Sequence, residues 1–427
     1  MSGLAAVVGL PAVAAPVPAR PKDGAPRRIM VGPGLPWSGN NSTVVTSPSI
    51  SLAGGFLQQL WSDGGGAPLP NPFPCHMQIA AAPDGYYDND CSTRSPRWRD
   101  AKGVAEIAWP PWVGFLNGPI VIEGEHGKPA PLLRCRHDDG YLAGDGILYE
   151  QQGWFICAQG FDVTFRNLRF QGMRRRDGFG NYRAVAIEAG FKKGNIVFDH
   201  VSIADCDDGI LGGSPGQTVE LRNCFFTRCG YGGTGSTHNC YIDNCDQLII
   251  DNVLSTECKE GHLMKSRAAR TIIRNSVRLL GEGGTESACL DVPDAGELIV
   301  EAGAHLVCAK SDTSHAYWVI HYSGENQDGA GVPFHEPSRI EIAGKLTMIG
   351  NSTGTVTVRG STAPISGFVN QSGNGAPSSG KGSHPVTPVV TGSVDVFRLD
   401  AKSAGFSPVT VLKTAPAMDT SDPSIGG

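Results

Sequence analysis

The sequence predicts an all-β solenoid, in which short coils stack and each coil contributes strands to long sheets. From about Phe161 onward, apolar and polar residues alternate, Asn or Asp then follows, and a second short apolar run closes the unit. This unit recurs in steps that alternate between the low twenties and about thirty residues. The 427 residues include 57 glycines and 30 prolines, so we expect frequent turns and no long helices.

Successive copies of the unit are DVTFRNLRF, NIVFDHVSI, TVELRNCFF, QLIIDNVLS, TIIRNSVRL, ELIVEAGAHLV and RIEIAGKLTMI. Their matched turn positions are Asn167, His200, Asn223, Asn252 and Asn275. The longer steps indicate coils with an inserted loop. Asn tolerates a left-handed backbone, and stacked Asn side chains can bond to one another. We therefore expect a column of left-handed turns along the solenoid.

The chain divides into four segments by composition. Residues 1–30 are signal-like or disordered, and residues 31–129 hold a first strand, a cap and irregular loops. A cap is expected because the end of a solenoid exposes a strand edge. Residues 130–360 form the solenoid core, and residues 361–427 are rich in Gly, Ser and Pro, with a last strand expected at SVDVFRLD.

Charge and hydropathy limit the partners. The net charge of −6 does not favour nucleic-acid binding, and no run approaches the 18 apolar residues of a membrane span. The first twenty residues have an apolar centre and an AVA followed by Ala-Pro, as in a secretory signal, although a basic start is missing. We expect a secreted or periplasmic protein, with a virion surface as the alternative location.

The twelve cysteines have no zinc-type pairing, because no CxxC spacing occurs among them. Most lie in or beside β-type runs, where Cys acts as a small apolar residue. We expect mainly stacked, unbridged thiols. One or two disulfides remain the alternative, with Cys75 and Cys91 as the first pair to consider.

The polar residues that carry chemistry cluster in the segment from Thr237 to Asp294. When LIIDN, TIIRN and ELIVEA are aligned, Asn239 falls one coil below His262 and Lys265 one coil below Asp291. Neighbouring strands lie about 4.8 Å apart, so outward side chains at these positions would meet. Such a row suits an extended charged polymer, a polysaccharide or surface glycan. The candidate substrate-binding residues are Asn239, Ser287, Asp291, His321 and Glu325.

Three motifs in this segment carry a resemblance to a known family. H-N-x-Y begins at His238, G-H-x-x-K-S-R-A at Gly261 and S-x-x-x-D-x-P at Ser287. They resemble a group of exported bacterial proteins in the pectate-lyase-like superfamily, over about residues 130–351. The resemblance implies a single-stranded right-handed parallel β-helix with an N-terminal cap, as a monomer or homotrimer. The superfamily includes lyases, hydrolases, epimerases and non-enzymatic spikes, so it leaves the activity open.

A lyase that acts on a uronate must neutralise the carboxylate, remove the adjacent proton and protonate the leaving oxygen. Lys265 and Arg267 suit the first task, His238 or His262 the second and Tyr241 the third. An epimerase would use the same groups and return the proton to the other face of the ring. The sequence favours a lyase with catalytic candidates His238, Tyr241, His262, Lys265 and Arg267.

Two alternatives remain. Asp205, Asp207 and Asp208 could supply the paired carboxylates of a glycoside hydrolase, or could bind calcium. The same DDG sequence is also an ordinary turn, and no regular calcium loop is present. A third interpretation is a non-catalytic glycan-binding adhesin or virion spike, since a rigid β-helix suits both.

Overall fold

The structure is a computed structural model that describes residues 27–38, 44–48, 50–62, 68–81, 85–90, 95–100, 114–134, 154–157, 160–173, 183–187, 194–231, 237–281, 288–310, 318–322, 335–350, 356–359, 369–372, 388–392 and 395–398. It contains the helix α1 (Ile50–Leu60). The strands are β1 (Arg27–Val31), β2 (Val44–Ser47), β3 (Cys75–Ile79), β4 (Gly85–Asp90), β5 (Ser95–Asp100), β6 (Gly114–Leu116), β7 (Ile120–Gly124), β8 (Leu132–Arg134), β9 (Phe155–Cys157), β10 (Val163–Gln171), β11 (Arg183–Ile187), β12 (Gly194–Ala204), β13 (Asp208–Gly212), β14 (Gln217–Arg222), β15 (Phe225–Thr227), β16 (Cys240–Ile242), β17 (Gln247–Thr256), β18 (His262–Ser266), β19 (Arg270–Gly281), β20 (Ala288–Val292), β21 (Ala295–Val300), β22 (His305–Lys310), β23 (Trp318–Tyr322), β24 (His335–Ile342), β25 (Lys345–Gly350), β26 (Val356–Arg359), β27 (Val369–Ser372), β28 (Val389–Gly392) and β29 (Asp395–Arg398).

These strands form two long sheets. The second sheet consists of β6, β9, β11, β13, β16, β18, β20, β23, β26 and β27, in that spatial order, and the other strands form the first sheet. Among the described residues, pairing is parallel except for β4 with β5 and an isolated bridge between Ser62 and Pro68. Through most of the chain, each coil crosses the first sheet in a bent strand or strand pair and the second sheet in a single strand. The predicted all-β parallel solenoid is confirmed.

The bend in the first sheet occurs at the turn positions matched in the sequence. Positive φ angles of 50° to 55° occur at all five of them, Asn167, His200, Asn223, Asn252 and Asn275. Asn252 Nδ2 donates a hydrogen bond to Asn223 Oδ1 at 2.7 Å, as expected for stacked Asn side chains. Asn275 Nδ2 instead donates to Asp251 Oδ1 at 2.5 Å. The column of left-handed turns is therefore present, with an Asp accepting the bond at one of its steps.

Beside these turns, the outer face of the first sheet carries charges of alternating sign. Consecutive partners in register are Glu123, Arg166, Asp199, Arg222, Asp251 and Arg274, and Arg274 Nε then lies 3.0 Å from Glu301 Oε2. We call this row the charge ladder. A strand displaced by one coil would place like charges opposite each other, so the ladder favours the observed stacking.

The helix α1 was not predicted. Its apolar residues Ile50, Ala53, Leu57 and Leu60 follow a helical spacing and are buried at the N-terminal end of the stack. Two adjacent glycines in its centre lower the helix propensity and hide the pattern. This helix is not long and apolar enough to cross a membrane, and the described residues contain no other helix that is. The signal-like first twenty residues lie outside the described part of the chain.

Parallel pairing extends beyond residues 130–360 in both directions. On the N-terminal side, β3 and β7 pair with each other and continue the first sheet from β10 to β1. On the C-terminal side, the segment SVDVFRLD contains β29, which pairs with β25. The Pro-rich and Gly-rich segments between these strands differ in length, and this obscures the repeat in the sequence.

The interior is apolar and includes the cysteines. Phe165 and Phe198 stack on neighbouring coils, with ring centroids 5.0 Å apart. Each of the ten described cysteines is a buried thiol outside any disulfide. Cys75, proposed from the sequence as a partner of Cys91, is one of these thiols, and burial raises its pKa to about 12. Cys91 lies outside the described residues.

Candidate functional site on the second sheet

Four predicted site residues form one column across the second sheet. Tyr241 pairs with Lys265, Lys265 with Asp291, and Asp291 with His321. They belong to β16, β18, β20 and β23, so the column spans about 14 Å at roughly 4.8 Å per strand. The predicted stacking of Lys265 below Asp291 is confirmed.

A second column passes three residues before Tyr241 and Lys265 and continues through β13 to β11. Arg183 on β11 pairs with Asp208 on β13. The register of β13 with β16 continues the column to His238, and the register of β16 with β18 continues it to His262. Two columns of ionisable groups thus lie side by side on neighbouring coils.

The prediction that Asn239 lies below His262 is wrong by one residue. Tyr241 pairs with Lys265, 24 positions later, whereas Leu248 in the first sheet pairs with Thr271, 23 positions later. The alignment used the first-sheet step, and a slip of one residue changes which side chain lies opposite. His238 therefore occupies the place expected for Asn239.

Asn239 points into the solenoid and is fully buried. Its Nδ2 donates to Ser255 Oγ at 3.0 Å and to Thr256 O at 2.8 Å, while its Oδ1 accepts the Cys229 N–H at 2.9 Å. These bonds join neighbouring coils. In this structure Asn239 therefore supports the coil corner rather than contributing to a ligand surface.

The two imidazoles at the centre of the site stack on each other. The ring centroids of His238 and His262 lie 4.8 Å apart, and their planes are inclined by 26°. His238 Nδ1 accepts the backbone N–H of His262 at 3.0 Å and lies 3.1 Å from His262 Nδ1. Burial, with the nearby charges of His262 and Lys265, holds the pKa of His238 well below its usual range.

Asp291 is the anion shared by the surrounding basic groups. Its Oδ1 accepts a hydrogen bond from His321 Nδ1 at 2.6 Å. Its Oδ2 lies 3.5 Å from Lys265 Nζ and 3.6 Å from His262 Nε2. Burial alone would raise the pKa of Asp291, but His262, Lys265 and His321 together hold it well below its usual range.

Arg267 is engaged by the protein itself. Its guanidinium pairs with the Asp294 carboxylate, its Nε donates to Tyr241 Oη at 2.8 Å, and its side chain is only 2% exposed. His335 Nε2 donates to the backbone oxygen of Arg267 at 3.0 Å. In this structure Arg267 is therefore not positioned to bind a substrate carboxylate. It anchors the Tyr241 phenol instead.

The three aspartates considered for a hydrolase or a calcium site do not act together. Asp205 forms two hydrogen bonds with Arg228, at 2.9 and 3.0 Å, and accepts a third from Gln171. Asp207 and Asp208 are fully buried. Within the described ranges, no group of three or more His, Cys, Asp or Glu side chains is arranged to hold a metal ion.

Asp208 belongs instead to the second column, with Arg183, His238 and His262. Its Oδ1 accepts the His238 backbone N–H at 2.7 Å. Its Oδ2 has no hydrogen-bond partner among the described residues. Burial raises the pKa of Asp208 well above its usual range, although the His238 N–H and Arg183 oppose this change. Burial therefore favours the protonated form of this carboxyl.

The site is more buried than the sequence suggested. His238, Asp291 and His321 are each at most 3% exposed. Lys265 retains 13% of its side-chain exposure and His262 retains 11%. A ligand would therefore meet Lys265 and His262 first, with the other groups behind them.

Two predicted binding residues, Ser287 and Glu325, lie outside the described residues. Two residues of the site, Asp294 and Arg183, were not predicted from the sequence. Asp294 follows Asp291 by three residues in the segment DVPD, and an acid at that turn was the available signal. Arg183 was recognisable only from the register of β11 with β13.

Comparisons with protein-family models, with curated proteins and with solved structures find no match for this chain. The candidate site therefore rests on its own geometry.

Proposed function

We propose that this protein binds an anionic, uronate-containing polysaccharide on the second sheet and cleaves it by β-elimination. The observation that carries the proposal is Asp291, a buried carboxylate shared by Lys265, His262 and His321 on consecutive coils. A buried cluster with shifted pKa values is a common property of catalytic sites. The column arrangement also suits a chain-like ligand.

The groups have complementary roles in this proposal. Lys265 offsets the charge of the uronate carboxylate, and one of the two histidines removes the proton beside it. Tyr241 protonates the departing glycosidic oxygen. Arg267 Nε donates to the phenol oxygen at 2.8 Å and fixes its position, and Lys265 Nζ lies 5.1 Å from the phenol ring centroid. The acid and the cation are thus adjacent, and the ring centroid of His238 lies 5.2 Å from that of Tyr241.

We further propose that the coils belong to a right-handed parallel β-helix of the pectate-lyase-like kind, in a secreted or periplasmic protein. The parallel register of consecutive coils supports the fold, since parallel crossovers are nearly always right-handed. The sequence motifs at His238 and Gly261 support the subgroup. Either a monomer or a homotrimer is compatible with this proposal.

The test is incubation with alginate, pectate and glycosaminoglycan panels, with and without calcium, while absorbance follows unsaturated sugar ends. We expect unsaturated ends from at least one anionic polymer and their loss in a His262→Gln, Lys265→Met double variant. The matched control is Arg222→Gln, which removes a half-exposed charge on the first sheet. Absence of unsaturated ends from every polymer would overturn the proposed lyase activity.

The near-complete burial of His238, Asp291 and His321 favours one other candidate, a non-catalytic glycan-binding protein or spike. In that case a polymer of the same panel binds to the protein and no new chain ends form. Reducing ends without unsaturation would instead indicate a hydrolase. The burial of Asp207 and Asp208 gives the hydrolase less support.

A further inference from the structure

We infer that His262 is the group that removes the substrate proton, and that His238 is a positioning residue that fixes the tautomer of His262. The inference rests on the proposed function, which left the two histidines equivalent. Four contacts carry it: two between the histidines, one at Gly261 and one at Asp208.

The first contact fixes the tautomer of His238. The backbone N–H of His262 points at His238 Nδ1 at 3.0 Å. A backbone amide can only donate, so His238 Nδ1 must present a lone pair. The single ring proton of neutral His238 therefore lies on its Nε2.

The second contact fixes the tautomer of His262 as well. His262 Nδ1 lies 3.1 Å from the same Nδ1 atom of His238. Because the His238 atom presents a lone pair, the two nitrogens attract only when His262 Nδ1 carries the hydrogen. Neutral His262 then has its basic lone pair on Nε2, the nitrogen on the side of Lys265 and Asp291.

The third contact explains the glycine that precedes His262. Gly261 has a φ of +66°, and a Cβ atom added there would overlap His238 Nδ1 and the Thr237 carbonyl oxygen. The absence of a side chain lets the imidazole of His238 approach the peptide that carries the His262 amide. The motif G-H is thus a requirement of the contact between the two histidines.

The fourth contact holds His238 from its other side. Asp208 Oδ1 accepts the His238 backbone N–H at 2.7 Å. His238 is only 1% exposed, so substrate does not reach its ring. Burial and neighbouring positive charge keep the pKa of His238 low, so it remains a neutral acceptor while His262 gains a proton.

His262 Nε2 takes the proton from the carbon beside the carboxylate, and the electrons of that C–H bond form a double bond to the next carbon. The bond from that carbon to the glycosidic oxygen breaks, and the oxygen takes a proton from Tyr241. Asp291 Oδ2, 3.6 Å from His262 Nε2, stabilises the imidazolium. Proton exchange with water then resets His262 and Tyr241.

The experiment measures the tautomer directly by ¹⁵N NMR of the histidine-labelled full chain, with His262 assigned by its loss in His262→Gln. We expect a protonated Nδ1 and a bare Nε2 for His262, and the reverse for His238. A bare Nδ1 on neutral His262 would overturn the inference. This measurement needs no substrate, so it remains decisive even when no polymer is cleaved.

Two variants of His238 distinguish a role in positioning His262 from a role in folding. In His238→Asn, the amide oxygen takes the approximate place of Nδ1 and keeps an acceptor, whereas His238→Leu removes it. In His238→Leu, we expect the tautomer of His262 to be no longer fixed and kcat to fall roughly hundredfold, with KM little changed. In His238→Asn, the tautomer of His262 should stay fixed and kcat should stay close to that of the wild type. If kcat of a folded His238→Leu protein equals that of the wild type, His238 does not position the base.

Discussion

Asp291 Oδ1 lies 2.6 Å from His321 Nδ1, and the two residues pair directly on neighbouring coils. The bond holds a carboxylate in a place that water scarcely reaches. Its other oxygen faces Lys265 and His262, so one anion balances basic groups from two coils. Removing the anion should therefore affect both folding and chemistry.

We expect Asp291→Asn to lower the free energy of unfolding by about 3–5 kcal/mol, because basic groups are left buried without their anion. Urea denaturation followed by circular dichroism measures this loss. Asp251→Asn on the first sheet is the control and should cost no more than about 1 kcal/mol. Equal losses in the two variants would mean that the Asp291 cluster contributes no special stability.

The coil repeat could be predicted because left-handed turns restrict residue choice. Asn252 and Asn275 have φ angles of 53° and 50°, a conformation that Asn tolerates better than most residues do. The charge ladder was visible in the same runs, as the acid or base before each turn residue, but its sign alternation has meaning only once the coils are in register. Local sequence thus predicted the turns, and the pairing revealed their relationship.

The site could be predicted only in part, because it depends on loop length and burial. Lys265 and Asp291 were matched correctly. Asn239 was placed one residue away from its position, because paired residues of β16 and β18 are 24 positions apart, whereas those of β17 and β19 in the first sheet are 23 apart. The guanidinium of Arg267 is a typical ligand for a carboxylate, but the carboxylate that it binds is that of Asp294, across a turn. Burial is a sum of contacts from many coils and has no local signature.

A second prediction concerns Arg267, whose guanidinium and partner carboxylate are both buried. Arg267→Met should destabilise the fold by about 3–5 kcal/mol, since Asp294 loses its cation. The double variant Arg267→Met, Asp294→Leu should recover most of that loss, because apolar replacement of a buried ion pair is often neutral. Thermal and urea unfolding of both variants measure the recovery.

The same double variant tests whether Arg267 binds substrate. If the guanidinium only supports the fold and Tyr241, turnover per folded molecule should fall less than about tenfold, which is about 1.4 kcal/mol in the barrier. A stable double variant that neither turns over nor binds the polymer would restore Arg267 as a carboxylate ligand. Lost turnover with retained binding would show that Arg267 acts by holding Tyr241.

A third prediction concerns the charge ladder. Arg166 lies between Glu123 and Asp199, at 3.4 Å from each, and its side chain is 49% exposed. Arg166→Glu should therefore cost about 1 kcal/mol at low salt, and less at high salt, because like charges then face each other on adjacent coils. Arg166→Gln is the control that removes attraction without adding repulsion. If the two variants are equally stable at every salt concentration, the alternation does not stabilise the stacking.

A fourth prediction is a pH dependence at Asp208. Because its folded-state pKa is raised, the folded protein keeps a proton that the unfolded chain releases above a pKa of about 3.9. Stability is therefore lost as pH rises from that value toward the folded-state pKa, by about 1.4 kcal/mol per pH unit. Asp208→Asn removes this loss and keeps an oxygen for the His238 N–H.

Denaturation of Asp208→Asn and wild type at pH 4, 5, 6 and 7 measures the effect. The variant should nearly equal the wild type near pH 4 and become more stable than the wild type as pH rises, until the folded-state pKa of Asp208 is reached. Other titrating groups, His238 included, are common to both proteins and cancel in the difference. A difference that does not vary with pH would show that Asp208 is ionised in the fold.

The last prediction separates backbone strain from the contact between the histidines. Gly261 and Gly127 have nearly equal φ angles, +66° and +68°, but an added Cβ meets His238 at Gly261 and nothing within 4 Å at Gly127. Gly127→Ala should thus cost only the left-handed backbone energy, about 1–2 kcal/mol. Gly261→Ala should cost more and displace the imidazole of His238. Urea denaturation gives the two costs, and ¹⁵N NMR gives the tautomer of His262 in each variant. Equal costs with an unchanged tautomer would mean that His238 has room to move, and that Gly261 serves only the turn.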